Sequence, residues 1–110
     1  MVYDDFKVNR RKWHRESVKI PAQYFIKGQS ARYMDCTIIN LSRCGAAVLF
    51  PADSPFAVKA LIYLDVIVPK TFEQLTLRGE VRNKYKKENG VIGGIQFESL
   101  LPEDRFDKFT

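Results

Sequence analysis

The residues best suited to chemistry fall in two short motifs of this 110-residue chain. The first is an R-x-x-x-R formed by Arg11 and Arg15, with Arg10 directly before it. A guanidinium group makes bidentate hydrogen bonds to phosphate oxygens and to the O6 and N7 atoms of guanine. Residues four apart lie on one side of either a helix or an extended arm. Arg11 and Arg15 can therefore converge on one anionic ligand, and a solvated basic arm is the alternative.

The second motif is an N-x-S-x-x-G formed by Asn40, Ser42 and Gly45, between two apolar, strand-like runs. Asn40 offers a short amide side chain, and the Ser42 hydroxyl can both donate and accept a hydrogen bond. Gly45 permits a positive φ and the close approach of a ligand. The same residue types are common in ordinary turns, so this motif alone does not settle a function. The R-x-x-x-R motif alone is also unspecific, because it recurs at Arg78 and Arg82.

The pattern of apolar residues predicts six strands joined by short connections. The strands are expected at 18–26, 32–40, 46–50, 58–68, 75–82 and 91–98. The fourth run is apolar on both faces and is predicted to be central, and Asn89-Gly90 predicts a tight hairpin. Pro102 and the acidic residues after it predict a short helix. No long helix interleaves the strands, so we predict an all-β fold, a six-stranded antiparallel β-barrel with a short C-terminal helix.

Two features interrupt the regular strand pattern. Pro21 lies within the first predicted strand, and proline is confined to edge strands or bulges. We therefore expect either an edge or a bulge at Pro21. The pair Gly93-Gly94 lies within the last predicted strand, where it indicates a bulge or a close approach between backbones.

The bulk properties favour a folded cytoplasmic protein with an anionic partner. Apolar residues make up 45% of the chain, and the net charge is +5, which can also serve solubility alone. The chain contains two cysteines, Cys36 and Cys44, whose spacing does not indicate a metal site, so we expect free thiols. The first ten residues lack the apolar segment of a signal peptide. No run approaches the ~20 apolar residues of a membrane span, so no membrane insertion is expected.

The order of the two motifs, and the β-rich sequence that ends in Gly94-Ile95-Gln96-Phe97, resemble the PilZ domain family over nearly the whole chain. PilZ domains are six-stranded β-barrels with a C-terminal helix, and they are receptors for the bacterial second messenger cyclic di-GMP. The ligand-binding residues that the resemblance implies are Arg10, Arg11, Arg15, Asn40, Ser42 and Gly45. Many members have Asp where this chain has Asn40, so the lost charge is expected to lower affinity. Arg10 stands where the family has an Arg that accompanies binding of an intercalated ligand dimer.

The chain is divided by its sequence into a flexible basic arm, residues 1–16, and a barrel domain, residues 17–110. We expect cyclic di-GMP to order the arm and change the surface offered to a downstream protein. Motility, exopolysaccharide secretion and biofilm formation are the outputs that the resemblance implies. His14 is the single histidine, and no nucleophile and base set is present, so neither catalysis nor a cofactor or metal is expected.

Two other functions remain open from the residues. A small basic barrel could bind RNA or single-stranded DNA through the arm and the basic run Arg82–Lys87. The aromatic residues form no recognisable RNA-binding motif, so nucleic acid is not the expected partner. A PilZ-like adaptor that binds proteins and no nucleotide is the other alternative, and the intact motif argues against it.

Overall fold

A computed structural model describes residues 15–52 and 56–109 of the chain. Within these residues, six antiparallel strands close into a barrel in the order β1-β2-β3-β6-β5-β4. The strands are β1 (Glu16–Ile26), β2 (Met34–Leu41), β3 (Gly45–Phe50), β4 (Leu61–Ile67), β5 (Gln74–Lys87) and β6 (Gly90–Phe97). A short helix, α1 (Glu103–Phe109), follows them. The predicted all-β barrel with a short C-terminal helix is confirmed.

The core fills the inside of the barrel. Alternate residues of each strand point inward, and Phe50, Ile38, Ile62 and Leu64 are fully buried there. Phe106 and Phe109 of α1 join the same cluster, which is why so short a helix is held in place. Each large side chain removed from water in this way stabilises the fold by roughly 1.5–3 kcal/mol.

The fourth strand has apolar residues on both faces, as predicted, but the prediction that it is central was wrong, because a closed barrel has no central strand. Ile62, Leu64 and Val66 point into the core, whereas Leu61 and Ile67 are about half exposed on the outer face. In a closed barrel each strand has two neighbours and one solvated face, so none is buried on both sides.

Of the two alternatives predicted for Pro21, the edge position is confirmed and the bulge was wrong. Pro21 lies inside β1 and is paired with Thr37 of β2, while the pairing with β4 begins one residue later, at Ala22. The missing N–H is tolerated because Pro21 has a strand neighbour on one side only. The irregularity of β1 lies between Ser17 and Ile20 instead.

Candidate ligand cleft

The predicted site residues that the structure describes border one cleft. This cleft has a volume of about 310 Å³ and lies over β2, β3, β6 and β5. Its lining includes Arg15, Asn40, Ser42 and Gly45, so the last residue of the first motif lies beside the second motif. The other two predicted residues, Arg10 and Arg11, lie outside the described residues.

The register of β1 and β2 explains why Arg15 lies at the cleft. Glu16 pairs with Leu41 and Ser17 with Asn40, so the residue before β1 lies beside the residue after β2. Arg15 is therefore next to Ser42, although the two are far apart in sequence. Its side chain is exposed, and within the described part of the chain its guanidinium has no carboxylate partner. This cation is available to an anionic ligand.

The Ser42 hydroxyl is directed into the loop that connects β2 and β3. Ser42 is 5% exposed, and its Oγ accepts from the Cys44 N–H and donates to the Gly45 carbonyl oxygen, both at 3.3 Å. The Ser42 N–H also donates to the Gly45 oxygen, at 2.9 Å. The serine thus closes a tight turn from within, and this turn forms one end of the cleft.

The positive φ expected at Gly45 was wrong. Among the glycines, Gly28 and Gly90 have a positive φ, and Gly45 does not. A Cβ atom on Gly45 would overlap the carbonyl oxygen of Ile95 in the neighbouring strand β6. Gly45 is therefore required by the close approach of two backbones, which keeps the loop flat against β6.

The same loop is fixed to the segment that leads into α1. Arg43 Nε donates to the Leu101 carbonyl oxygen at 2.7 Å, and the Leu101 N–H donates back to the Arg43 oxygen at 2.7 Å. The Phe97 N–H donates to the Cys44 oxygen at 2.8 Å. These bonds hold the loop rigid, so the cleft is preformed at this end.

Two bulges turn asparagine side chains toward the cleft. The pairing register shifts between Ile38 and Asn40 in β2, and between Val81 and Asn83 in β5. Ile38 and Val81 point into the core and are fully buried. By strict alternation the residue two positions later would also point inward, but one extra residue reverses its direction. Asn40 and Asn83 both line the cleft as a result.

The floor between the two asparagines consists of small residues. Asn40 pairs with Ala47 of β3, Ala47 with Gly94 of β6, and Gly94 with Asn83 of β5. These four residues form one row across four strands. Because its two middle members have little or no side chain, the row is a shallow trough with an amide at each end.

Strand β5 contributes two cleft residues that were not predicted from the sequence, Asn83 and Tyr85. Tyr85 lies two positions after Asn83 and is 52% exposed, and its partner across the strands is Ile92 of β6. The predicted strand ended at residue 82, whereas β5 continues to Lys87. The glycine pair of β6 was the available signal, because it indicated a close approach at this place.

The electrostatics of the cleft suit an anion. Arg15 is the only charged residue among the described residues that line it. The second R-x-x-x-R borders a different cleft, of about 430 Å³, on the outside of β4 and β5. There Arg78 is ion-paired with Glu98 at 3.0 Å, and Arg82 with Glu80 at 2.6 Å. The second pair of arginines is thus already neutralised by acids of the barrel.

Other site chemistry receives little support from the described residues. They contain no group of three or more His, Cys, Asp or Glu side chains placed to hold a metal ion. Cys36 and Cys44 are both free thiols, and burial, with a contribution from Asp35, raises the pKa of Cys36 to about 12. None of the helices in the described part is long and apolar enough to cross a membrane.

Comparison with known families agrees with this geometry. The family described as the PilZ domain matches residues 9–108. The chain belongs to the PilZ domain family. The family consists of cyclic di-GMP receptors, and the matched residues include both sequence motifs.

Solved structures with the same fold include two PilZ proteins. The Bacillus subtilis inhibitor of motility, MotI/DgrA, matches with a TM-score of 0.69 at 16% identity over 91% of this chain. This PilZ chain spans 48% of the length of that protein. The PilZ domain of CeSA from a cellulose-synthesizing bacterium matches with a TM-score of 0.62 at 19% identity, covering 86% of this chain and 90% of its own. A search of curated proteins found no match.

Proposed function

We propose that this PilZ domain is a receptor that binds cyclic di-GMP in the cleft described above and has no catalytic activity of its own. The observation that carries the proposal is that Arg15 and the second motif line one cleft, where none of the described residues offers Arg15 a carboxylate partner. A ligand with two phosphates and two guanines needs cations and groups that read base edges, and both are present.

Each residue of the motifs has a distinct role in this proposal. Arg15 binds a phosphate or a guanine edge through its guanidinium, together with Arg10 and Arg11 of the arm. The Asn40 amide hydrogen-bonds to the ligand, and it lacks the charge that an Asp would bring. Ser42 and Gly45 act through the shape of the loop, because the serine hydroxyl is bonded within it.

The arm is the element through which we expect the signal to be passed on. Binding pulls Arg10 and Arg11 toward the cleft and folds the arm that precedes β1 against the barrel, which creates a surface for a downstream protein. Ordering the arm costs conformational entropy and so lowers the net affinity. Motility, exopolysaccharide secretion and biofilm formation are the outputs that would follow from such a receptor.

Calorimetric titration with cyclic di-GMP tests the binding proposal. Arg15→Ala should weaken binding by at least about 1.5–3 kcal/mol, the scale of a hydrogen bond to a charged group. Arg78→Ala is the matched control, because that arginine belongs to the other R-x-x-x-R and should leave affinity unchanged. GTP and a short RNA serve as competitors. Absence of saturable binding by cyclic di-GMP, together with tight binding of the RNA, would favour the nucleic-acid alternative.

The proposed movement of the arm has its own test. Trp13 is the single tryptophan and lies between Arg11 and Arg15, so its fluorescence reports on the arm. We expect its emission to shift on addition of cyclic di-GMP, and the amides of residues 9–16 to gain protection from hydrogen exchange. An arm that is equally protected with and without ligand would refute the switch and leave simple binding intact.

A further inference from the structure

We propose that Asn83 and Tyr85 form a second wall of the ligand site, in which Tyr85 stacks on a base of cyclic di-GMP and Asn83 hydrogen-bonds to the edge of that base. Neither residue belongs to the two motifs. This inference rests on the proposed function, and it assigns to β5 the recognition of a base at the end of the cleft opposite Arg15.

The first support is the direction of the Asn83 side chain. The bulge between Val81 and Asn83 aims the amide outward into the cleft, where regular pairing would have aimed it into the core. The amide makes no hydrogen bond to the described part of the chain. An amide has both donors and an acceptor, as the edge of a purine does. The described part of the fold thus leaves the Asn83 amide free to bond to a ligand in the cleft.

The second support is the glycine beneath that amide. A Cβ atom on Gly94 would lie 2.6 Å from Asn83 Oδ1 and 3.0 Å from Nδ2, so the amide occupies the space that a side chain would fill. The neighbouring Gly93 is explained by the core, since its Cβ would meet Phe50 Cε2 at 2.9 Å. A glycine within a strand weakens that strand, so its presence needs a reason. At position 94 the reason is the Asn83 amide, which occupies the space of a side chain.

The third support is the surface that Tyr85 forms with Ile92. Ile92 lies outside the core cluster, yet it is only 8% exposed, and it lines the cleft beside Tyr85. The Tyr85 ring is half exposed, and the Lys87 Nζ lies 5.7 Å from its centroid. An exposed aromatic ring beside a cation is the arrangement on which bases stack. This surface adjoins the Asn83 amide, so one base can contact both.

The trough is too wide for one small group to contact both the Asn40 side and the Asn83 side. From Asn40 to Asn83 the row crosses three strand spacings, or about 14 Å along the surface at about 4.8 Å each. One compact group cannot contact both ends, whereas a ligand with two bases and two phosphates can. The phosphates would then lie toward Arg15, and one guanine would lie over β5.

Titration of matched variants with cyclic di-GMP tests this assignment. Tyr85→Ala should raise the Kd about tenfold or more, the scale of one lost stacking interaction, and Tyr85→Phe should stay within about twofold because the ring is kept. Asn83→Ala should raise the Kd about fivefold, as expected for one lost hydrogen bond. Tyr33→Ala is the control for a lost tyrosine, because Tyr33 is 38% exposed and does not line the cleft. Tyr85→Thr repeats the test with a residue that favours strands.

The outcomes distinguish this inference from the function on which it rests. If Tyr85→Ala, Tyr85→Thr and Asn83→Ala bind like the unmodified protein while Arg15→Ala loses binding, the second wall is refuted and the receptor stands. If the unmodified protein itself does not bind cyclic di-GMP, both are refuted. Thermal unfolding of each variant shows whether the barrel is intact, so a loss of binding by an unfolded variant is not counted as support.

Discussion

At the scale of single residues, Cys36 makes the stability of the barrel depend on pH. Burial is the larger cause, and Asp35 the smaller, that raises its pKa from 9.0 to about 12. Between these values the unfolded chain loses the thiol proton while the folded chain keeps it, so raising the pH favours unfolding. We expect the free energy of unfolding to fall above pH 9 by up to about 1.4 kcal/mol per pH unit from this group.

Urea unfolding at pH 8, 9 and 10 measures the effect of Cys36. The control is Cys36→Ala. This variant lacks the thiol but keeps every other group that loses a proton at high pH. The variant should lose less stability with rising pH than the unmodified protein. Equal slopes for the two proteins would contradict the assignment of the pKa shift to a buried thiol.

The backbone conformation of Phe72 lowers the stability of the fold. It has a φ of 59°, in the left-handed region, and its side chain is 79% exposed. A residue with a Cβ atom is strained there by about 1 kcal/mol, and so exposed a ring offsets little of that cost. Phe72→Gly should therefore raise the free energy of unfolding by up to about 1 kcal/mol, as measured by urea denaturation. Phe72→Ala keeps the Cβ atom and should show no such gain; a Phe72→Gly protein less stable than Phe72→Ala would contradict the argument.

At the scale of elements, the two cleft glycines should respond differently to the same substitution. Gly45→Ala places a methyl group against the backbone of β6, which cannot move alone, so we expect a loss of at least about 1 kcal/mol and a Tm lower by about 4–8 °C. Gly94→Ala meets the Asn83 side chain, which can rotate away, so the Tm should change less. Differential scanning calorimetry of both variants measures the two changes in Tm. An equal loss for the two would show that Asn83 is as immobile as the backbone.

Sequence reasoning found those parts of the fold and the candidate site that depend on local patterns. The strands, the hairpin between β5 and β6 and the loop from Asn40 to Gly45 were all visible as periodicity or turn residues, although the hairpin turn lies at Glu88 and Asn89, one residue earlier than predicted. Asn83 was not visible, because a bulge changes the direction of a side chain without changing the composition of the strand. The contact that excludes a side chain at Gly45 was not visible for a related reason, since the excluding atom belongs to a strand about 50 residues further along.

At the scale of the whole molecule, ligand binding should raise the stability of the entire barrel. A ligand that binds only the folded state adds about 2.7 kcal/mol at one hundred times its Kd. For a domain of this size we expect a rise in Tm of about 10 °C or more with cyclic di-GMP. Arg15→Ala should show a smaller rise at the same ligand concentration, and Arg78→Ala the full rise. A Tm that does not respond to saturating ligand would contradict the proposed receptor.

The long strand β5 also has a consequence for the solubility of the protein. Its pairing with β4 ends at Glu80, so within the described residues the segment 83–87 is paired with β6 alone. An unpaired edge of this kind can recruit strands from other chains and start aggregation, and lysines together with a bulge are the usual protection. Lys84, Lys86 and Lys87 lie on this segment, directly after the bulge that aims Asn83. Replacing Lys86 and Lys87 by Thr should therefore increase light scattering on heating. The bulge that shapes the cleft thus also helps to keep concentrated protein in solution.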